Sequence, residues 1–378
     1  MNCIRWIETI AGAIFVYQQT GIAFLVALMT LLRLLPMSLL GAFIGGMTDR
    51  LNRRTAMIIF LVTGVTTSGT LLALAHFGLL QVWHLGLASL IGGIGWAADH
   101  PVRRMMIAEV VGIDRLGVAM SIDAGANQTS RIAGPALGGL LLAMVGITGC
   151  FALELALSIV ALVAALGISR AIKTKHAAPV RIFSHVADGL RAAWRDERVR
   201  AALLVTVVFN MFVWPCLSMV PVIGKDQLHL DPGGVGILAS MEGIGALLGS
   251  TTIGILSRPA HSAALYFGGC MMGMFAMVFL ALSSTPLAAG AALLTFGFFG
   301  AGFSIMQATL IYRLAPPELR GRVLGLISVC IGVGPIGFLQ LGILADLIGA
   351  ADAVIATAMT GFVVAVLLFR EWKALLRA

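Results

Sequence analysis

Apolar stretches long enough to cross a bilayer, about 20 residues at a helical rise of about 1.5 Å each, follow one another along this chain. Short charged or Pro/Gly-rich breaks separate them. The stretches do not alternate polar and apolar at every second position, as the strands of a membrane barrel do, so the pattern predicts helices. Twelve spans result: Ile4 to Thr20, Ile22 to Met47, Thr55 to Ala75, Val82 to about Met106, Leu116 to Val145, and Thr148 to Ser169. Beyond a polar stretch come Ala201 to Ile223, Gly234 to Leu256, His261 to Leu282, Leu287 to Ile311, Val323 to Leu347, and Ala351 to Phe369. The first is the weakest, because Arg5 and Glu8 interrupt its start. The longest polar stretch, residues 170–200, divides the chain nearly in half. This organisation predicts a six-helix bundle over residues 1–170, a cytoplasmic linker over 171–200 and a second six-helix bundle over 201–378. In the linker, Ile182, Val186, Leu190 and Trp194 recur at fourfold spacing, which predicts an amphipathic helix lying at the membrane surface. Gly134-Pro135 and Gly334-Pro335, each preceded by a charged turn, form a short internal repeat that supports two related halves.

Composition agrees with this pattern. Hydrophobic residues make up 59% of the chain and charged residues 11%, with a mean hydropathy of +1.00, whereas a soluble domain carries about 25% charged residues. Within hydrocarbon the backbone must satisfy its own hydrogen bonds, which leaves helix bundles as the matching class. The net charge of +8, from 25 Lys and Arg against 17 Asp and Glu, calls for no nucleic-acid partner. Basic residues gather in cytoplasmic loops and set topology. One set of alternate loops, counted with the C-terminus, holds 21 of them, the other set holds only Lys225, and Arg5, Arg33 and Arg131 lie inside spans. That asymmetry predicts both termini in the cytoplasm and a location in the cytoplasmic (inner) membrane. The five cysteines are scattered singly, so neither disulfides nor a metal site are expected. The chain contains no GxxxxGK[ST] phosphate loop and no HExxH pair. An enzyme and a cofactor are therefore not expected, and an ion gradient is the expected energy source.

Between the second and third spans the sequence reads GGMTDRLNRR, from Gly45 to Arg54. It resembles the signature loop of the major facilitator superfamily, G-x-x-x-D-R-x-G-R-R. Gly45, Asp49, Arg50, Arg53 and Arg54 match, and Asn52 stands where glycine is usual; Asn tolerates a left-handed backbone better than most residues. VYQQTG (16–21), LLRLLP (31–36), DHPVRR (99–104), RIAGPALGG (131–139) and PPELRGRV (316–323) resemble segments of the enterobactin-exporter-like and macrolide-efflux-like branch. GPALGG, with Gly134, Pro135, Gly138 and Gly139, is similar to a helix-packing motif of antiporters, although Ser121 and Ser130 occupy its upstream glycine positions. The resemblance implies an all-α membrane protein with the major facilitator fold, two six-helix bundles related by pseudo-twofold symmetry. A longer lead precedes the position of Trp6 in that family, so the first helix is expected to be truncated. The resemblance also implies a conformational latch. Asp49, ending the second helix, would cap the positive N-terminus of the eleventh near Gly321, with Arg53 and Asp99 assisting, in the state closed to the cytoplasm. Arg50 and Arg54 complete the loop and also obey the charge rule for cytoplasmic loops.

Five charges lie well inside spans: Arg33, Asp123, Arg131, Glu154 and Glu242. Each costs at least about 2.5 to 3.5 kcal/mol to insert, so each needs a partner, water or a role. Asp123, Asn127 and Arg131 recur every four residues and form one polar stripe, which must face protein or water. Glu8 is a possible partner for Arg33. Glu242, among small residues in SMEGIGALLGS, has three open readings: a proton site, a site for a cationic substrate group, and a structural hydrogen bond. Glu154, on a helix the resemblance places at the periphery, reads as a packing or snorkelling residue. By the same resemblance Asn210, Trp214 and Gln307 line the central cavity, and Trp214-Pro215 predicts a kink, since proline removes a backbone donor. The predicted substrate or proton pathway is thus Arg33, Asp123, Asn127, Arg131, Asn210, Glu242 and Gln307.

The function these readings imply is export of amphipathic small molecules, of drug, macrolide or siderophore type, by alternating access with proton antiport. The expected partners are the small-molecule substrate, protons and the lipid bilayer, and the expected state is a monomer. Two alternatives stay open: a non-transporting membrane sensor or assembly partner, and an importer of a small polar solute. Fold alone does not choose among them.

Overall fold

The computed structural model describes residues 2–48, 53–112, 115–167, 196–256, 261–314 and 320–368, and among these the regular structure is helical throughout. The elements run α1 (Asn2–Thr20), α2 (Ala23–Thr48), α3 (Arg53–His76), α4 (Val82–Val111), α5 (Leu116–Val145) and α6 (Ile147–Leu166). They continue as α7 (Glu197–Asp226), α8 (Pro232–Leu256), α9 (Ser262–Ala281), α10 (Pro286–Leu314), α11 in two pieces (Arg320–Ile331 and Gly334–Ile348) and α12 (Ala350–Leu367). Eight helices of the described residues are long and apolar enough to cross a membrane. α1, α2, α4 and α5 fall outside that set: α2 and α4 carry shorter apolar stretches, Ala23–Leu39 and Val82–Ala97, and charged residues interrupt α1 and α5. Helix α4 runs past the expected end near Met106 to Val111, and Arg103, counted above with a loop, lies within the helix.

Local chemistry explains the ends and the breaks. Asp196 opens α7 by accepting hydrogen bonds from the backbone N–H of Arg198 (2.9 Å) and Val199 (3.3 Å), an N-cap. A single residue with positive φ turns α5 into α6 (Gly146, 76°) and α11 into α12 (Gly349, 86°), a conformation that glycine adopts without steric cost. Helix α7 is regular over Glu197–Val208, widens to a π turn over Phe209–Val213, tightens to a 3-10 turn over Trp214–Met219 and resumes over Val220–Asp226. Pro215 and Pro221 lie in its second half and cannot donate to the ladder, so the hydrogen-bond register shifts there. Pro335 begins the second piece of α11 for the same reason.

The chain forms two compact units. The first holds α1, most of α2 and α3 to α6, together with Asp231–Ile237; the second holds α7, most of α8 and α9 to α12, together with Ile22–Leu28. In the first unit α1 lies directly on α5. A Cβ at Gly134 would collide with Trp6, and one at Gly138 would stand 3.1 Å from both Ile10 Cγ2 and the Ile7 carbonyl oxygen. In the second unit α8 and α10 approach backbone to backbone: a Cβ at Gly245 or Gly249 would strike the carbonyls of Leu294 and Phe298, and one at Gly297 that of Glu242. Small residues are how membrane helices come this close, since dispersion between backbones replaces the hydrophobic effect there. Large apolar side chains such as Val118, Val160, Phe279 and Val363 remain exposed, which suits a lipid solvent.

Candidate functional site

The buried charges of the first unit form two clusters. In one, Arg33 of α2 reaches Glu8 of α1, with Nη2 2.7 Å from Oε1, and the Arg33 residue is only 7% exposed. Beside this pair is a cavity of about 20 Å³, polar on the sides of Thr9, Thr30 and Ser89, enough for about one water molecule. Glu154 of α6 lies within electrostatic reach of both Glu8 and Arg33. It is 1% exposed, and its Oε1 has no hydrogen-bond partner. A snorkelling role is therefore overturned: the carboxyl is sealed in protein and does not extend to an interface.

The second cluster explains the stripe on α5. Arg103 of α4 pairs with Asp123 and, at 3.4 Å, with Asp99 one turn back on its own helix. One guanidinium thereby holds two carboxylates, a use suited to its fork of donors. Two turns beyond Asp123, Arg131 stands 5.8 Å from the ring centroid of Trp6, with the half-buried Asn127 between them. Arg5 lies over Trp96 at 4.7 Å and over Trp6 at 5.5 Å, a cation–π ladder between α1 and α4. The stripe thus faces protein. Arg103 and Trp6 were missed as site residues; the fourfold spacing of Asp99 and Arg103 was the available signal.

Of the latch residues, Asp49 and Arg50 lie outside the described residues, and for Gly45, Arg53 and Gly321 only the helical backbone is described. Arg54 donates from Nη2 to the Leu166 carbonyl at 2.9 Å, tying the start of α3 to a free carbonyl at the end of α6, where a cation is favoured. Asp99 is engaged with Arg103, as above.

In the second unit the polar side chains knit helices together. The hydroxyls of Thr206 (α7) and Tyr266 (α9) are 2.6 Å apart, Tyr266 also donates to the Ala202 carbonyl at 2.9 Å, and Gln307 of α10 donates to Thr206 Oγ1 at 3.4 Å. Asn210 donates to the Thr206 carbonyl at 2.8 Å, in the turn where α7 widens. Phe303 stacks between Phe209 and Tyr266, with centroid distances of 3.8 and 4.9 Å. Asn210 and Gln307 therefore meet at Thr206, in a network fully inside the unit for Asn210 and partly open for Gln307. Trp214 packs edge-on against Phe338 of α11. Glu242 is buried on α8 at 5% exposure. Thr206 and Tyr266 carried no sequence signal beyond being polar groups in apolar helices.

The twelve helices of the described residues have an arrangement shared with solved transporters. A bacterial homologue of the human lysosomal transporter Spinster superposes with a TM-score of 0.74 at 15% identity, covering 100% of this chain and 96% of that one. The nucleoside transporter NupG gives 0.73 at 15% identity, covering 98% and 96%. Identity at that level speaks for the fold. The family profile described as "Transmembrane secretion effector", a division of the major facilitator superfamily, matches residues 1–375. The chain belongs to that family. As a transmembrane secretion effector of the major facilitator type it is a multi-pass membrane protein and a transporter. Similar family members include macrolide efflux protein A of Streptococcus pyogenes, 22% identical over 344 residues, which are 89% of this chain and 84% of that one. The multidrug efflux pump Tap of Mycobacterium tuberculosis is 26% identical over 370 residues, 93% and 86% of the two chains. The enterobactin exporter EntS of Shigella flexneri is 24% identical over 295 residues, 76% and 68%.

Proposed function

We propose that this transporter exports amphipathic small molecules of the macrolide or drug type, as a monomer in the cytoplasmic membrane with both termini inside, driven by proton antiport. The observation that carries the reading is the whole-chain family match, with relatives named as efflux proteins along most of their length. The six-helix halves over residues 1–170 and 201–378, joined by the linker 171–200, act as the two bodies of alternating access. A latch in which Asp49, assisted by Arg53, caps the helix that begins near Gly321, as the resemblance implies, favours the state closed to the cytoplasm. Arg33, Asp123, Asn127, Arg131, Asn210, Glu242 and Gln307 form the pathway: those of the clusters described above hold its charged walls in place, and Glu242 receives a cationic group of the substrate. Buried ionisable groups in spans are the usual mark of such a pathway.

The test is accumulation of radiolabelled erythromycin by inverted membrane vesicles containing the full chain, with an imposed proton gradient, acid inside. The expected outcome is gradient-dependent uptake, abolished by a protonophore and reduced at least tenfold in Glu242→Gln. Uptake equal to that of empty vesicles, repeated across a panel of cationic drugs, defeats the exporter reading.

A further inference from the structure

We propose that Glu154 is the carboxyl that carries the driving proton, loaded and unloaded through the Glu8–Arg33 pair and the water-sized cavity beside it. This rests on the proton-driven export proposed above and names the group that performs it.

Three observations in the first unit converge on Glu154. It is 1% exposed, and its Oε1 has no hydrogen-bond partner among the described residues. An ionised carboxylate with an oxygen left unpaired in such surroundings is the costliest form the group can take, and the neutral acid the least costly. Second, the charged groups acting on Glu154 are Glu8 from α1 and Arg33 from α2, and these two are already paired with each other at 2.7 Å. With Arg33 neutralised by Glu8, an ionised Glu154 leaves the cluster at minus one, and a proton on it brings the cluster to zero. Among the described residues the remaining charges nearby are held elsewhere: Arg5 of α1 lies over Trp96 and Trp6. Arg53, Arg54 and His76 stand at the ends of α3, Asp123 and Arg131 of α5 are engaged with Arg103 and Trp6, and Cys150, one turn earlier on α6, donates to the Gly138 carbonyl. Third, the cavity of about 20 Å³ is lined by both Glu8 and Arg33 and not by Glu154 itself, so a water molecule there meets the pair, and Glu154 meets water through it.

The step is a simple proton transfer. Loading breaks an O–H bond of a hydronium ion in the cavity and, relayed through the Glu8 carboxylate that lines it, forms one at Glu154; unloading breaks the Glu154 O–H bond and re-forms hydronium by the same route, and nothing is oxidised or reduced. Because the cluster is neutral when loaded and charged when empty, the two states differ in the cost of being enclosed, which is the differential interaction a conformational equilibrium needs.

Infrared difference spectra of the full chain, purified in detergent and taken through a pH titration, read the proton directly and need no substrate. The expected result is a carbonyl-stretching band of a protonated carboxyl in apolar surroundings that disappears in Glu154→Gln and persists in Glu242→Gln. Glu154→Asp keeps a carboxyl one methylene shorter and displaces the band, so the assignment stands even where the glutamine variant does not fold. A native chain without such a band, or one whose band is unaltered in both Glu154 variants, overturns the proposal. In the erythromycin vesicle assay, Glu154→Gln is expected to lose gradient-driven accumulation at least tenfold while still equilibrating the probe down its own gradient. Native vesicles that fail to accumulate erythromycin, with the band still tied to Glu154, defeat the exporter reading and leave the proton site standing. Equal accumulation by native and Glu154→Gln vesicles defeats the proton site and leaves the exporter standing.

Discussion

The arginines that enter the first helix bundle meet different kinds of partner: Arg33 a carboxylate, Arg103 two carboxylates, and Arg5 and Arg131 the faces of tryptophans. Removing one member of a buried pair leaves the other charge without compensation, which costs about 3 to 5 kcal/mol. Arg103→Gln, which withdraws the guanidinium from both Asp99 and Asp123, is expected to lower stability by that amount, read as a drop in unfolding temperature in detergent. In the second unit the Thr206–Tyr266 contact joins two neutral hydroxyls, and neutral hydrogen bonds contribute about 0.5 to 1.5 kcal/mol. A double-mutant cycle with Thr206→Val and Tyr266→Phe is expected to give a coupling in that range. The need for partners was legible in the sequence, because Arg33, Asp123 and Arg131 are charges within apolar runs. Of their partners, Glu8 was named for Arg33 and is the one it takes, and the spacing of four puts Asp99 and Arg103 on one helix face; the pairing of Asp123 with Arg103 and of Arg131 with Trp6 was not legible. Of the two readings of Glu154, packing and snorkelling, its burial leaves packing: a helix at the periphery of a bundle still has one face turned inward, and hydropathy does not tell which.

At the scale of the element, α7 shows how far local chemistry can be read. Trp214-Pro215 predicts a kink, and α7 does change there from a π turn to a 3-10 turn. The length of the irregular stretch, from Phe209 to Met219, depends on more than the missing donor of one proline. The π turn places Asn210 where its side chain reaches the Thr206 carbonyl, and the stacked ring of Phe209 fixes it against α10. The α1–α5 contact was foreshadowed by GPALGG as a packing motif, while the surface it packs on, Trp6 and the Ile7 to Ile10 turn, was not. Gly138→Val would press a branched side chain against the Ile7 carbonyl, which is backbone and cannot rotate away. Overpacking of that kind costs about 1 to 3 kcal/mol. The expected outcome is a lower unfolding temperature together with loosened contact between α1 and α5, measured as reduced yield of a cysteine cross-link engineered between those helices.

For the molecule as a whole, the loop asymmetry of basic residues makes a definite topological prediction. A green fluorescent protein fused after Ala378 is expected to fluoresce, and alkaline phosphatase at the same point to be inactive; the reverse pair of results would place the C-terminus outside. Asp49→Asn is expected to slow transport of erythromycin while leaving membrane insertion intact, as read from vesicle uptake normalised to the amount of inserted protein, and native rates in that variant would remove the latch. The sequence by itself determined the class, the succession of spans and the family, because hydropathy and short motifs are sums over neighbouring residues and survive without knowledge of the rest of the chain. The tertiary structure alone decided that Glu8 answers Arg33, that Arg103 answers Asp123, that Asn210 and Gln307 meet at Thr206, and that Glu154 is sealed beside an occupied ion pair. Those outcomes depend on the depth and rotation of each helix against its neighbours, quantities fixed by close packing between residues far apart in the chain and carried by no local stretch of it.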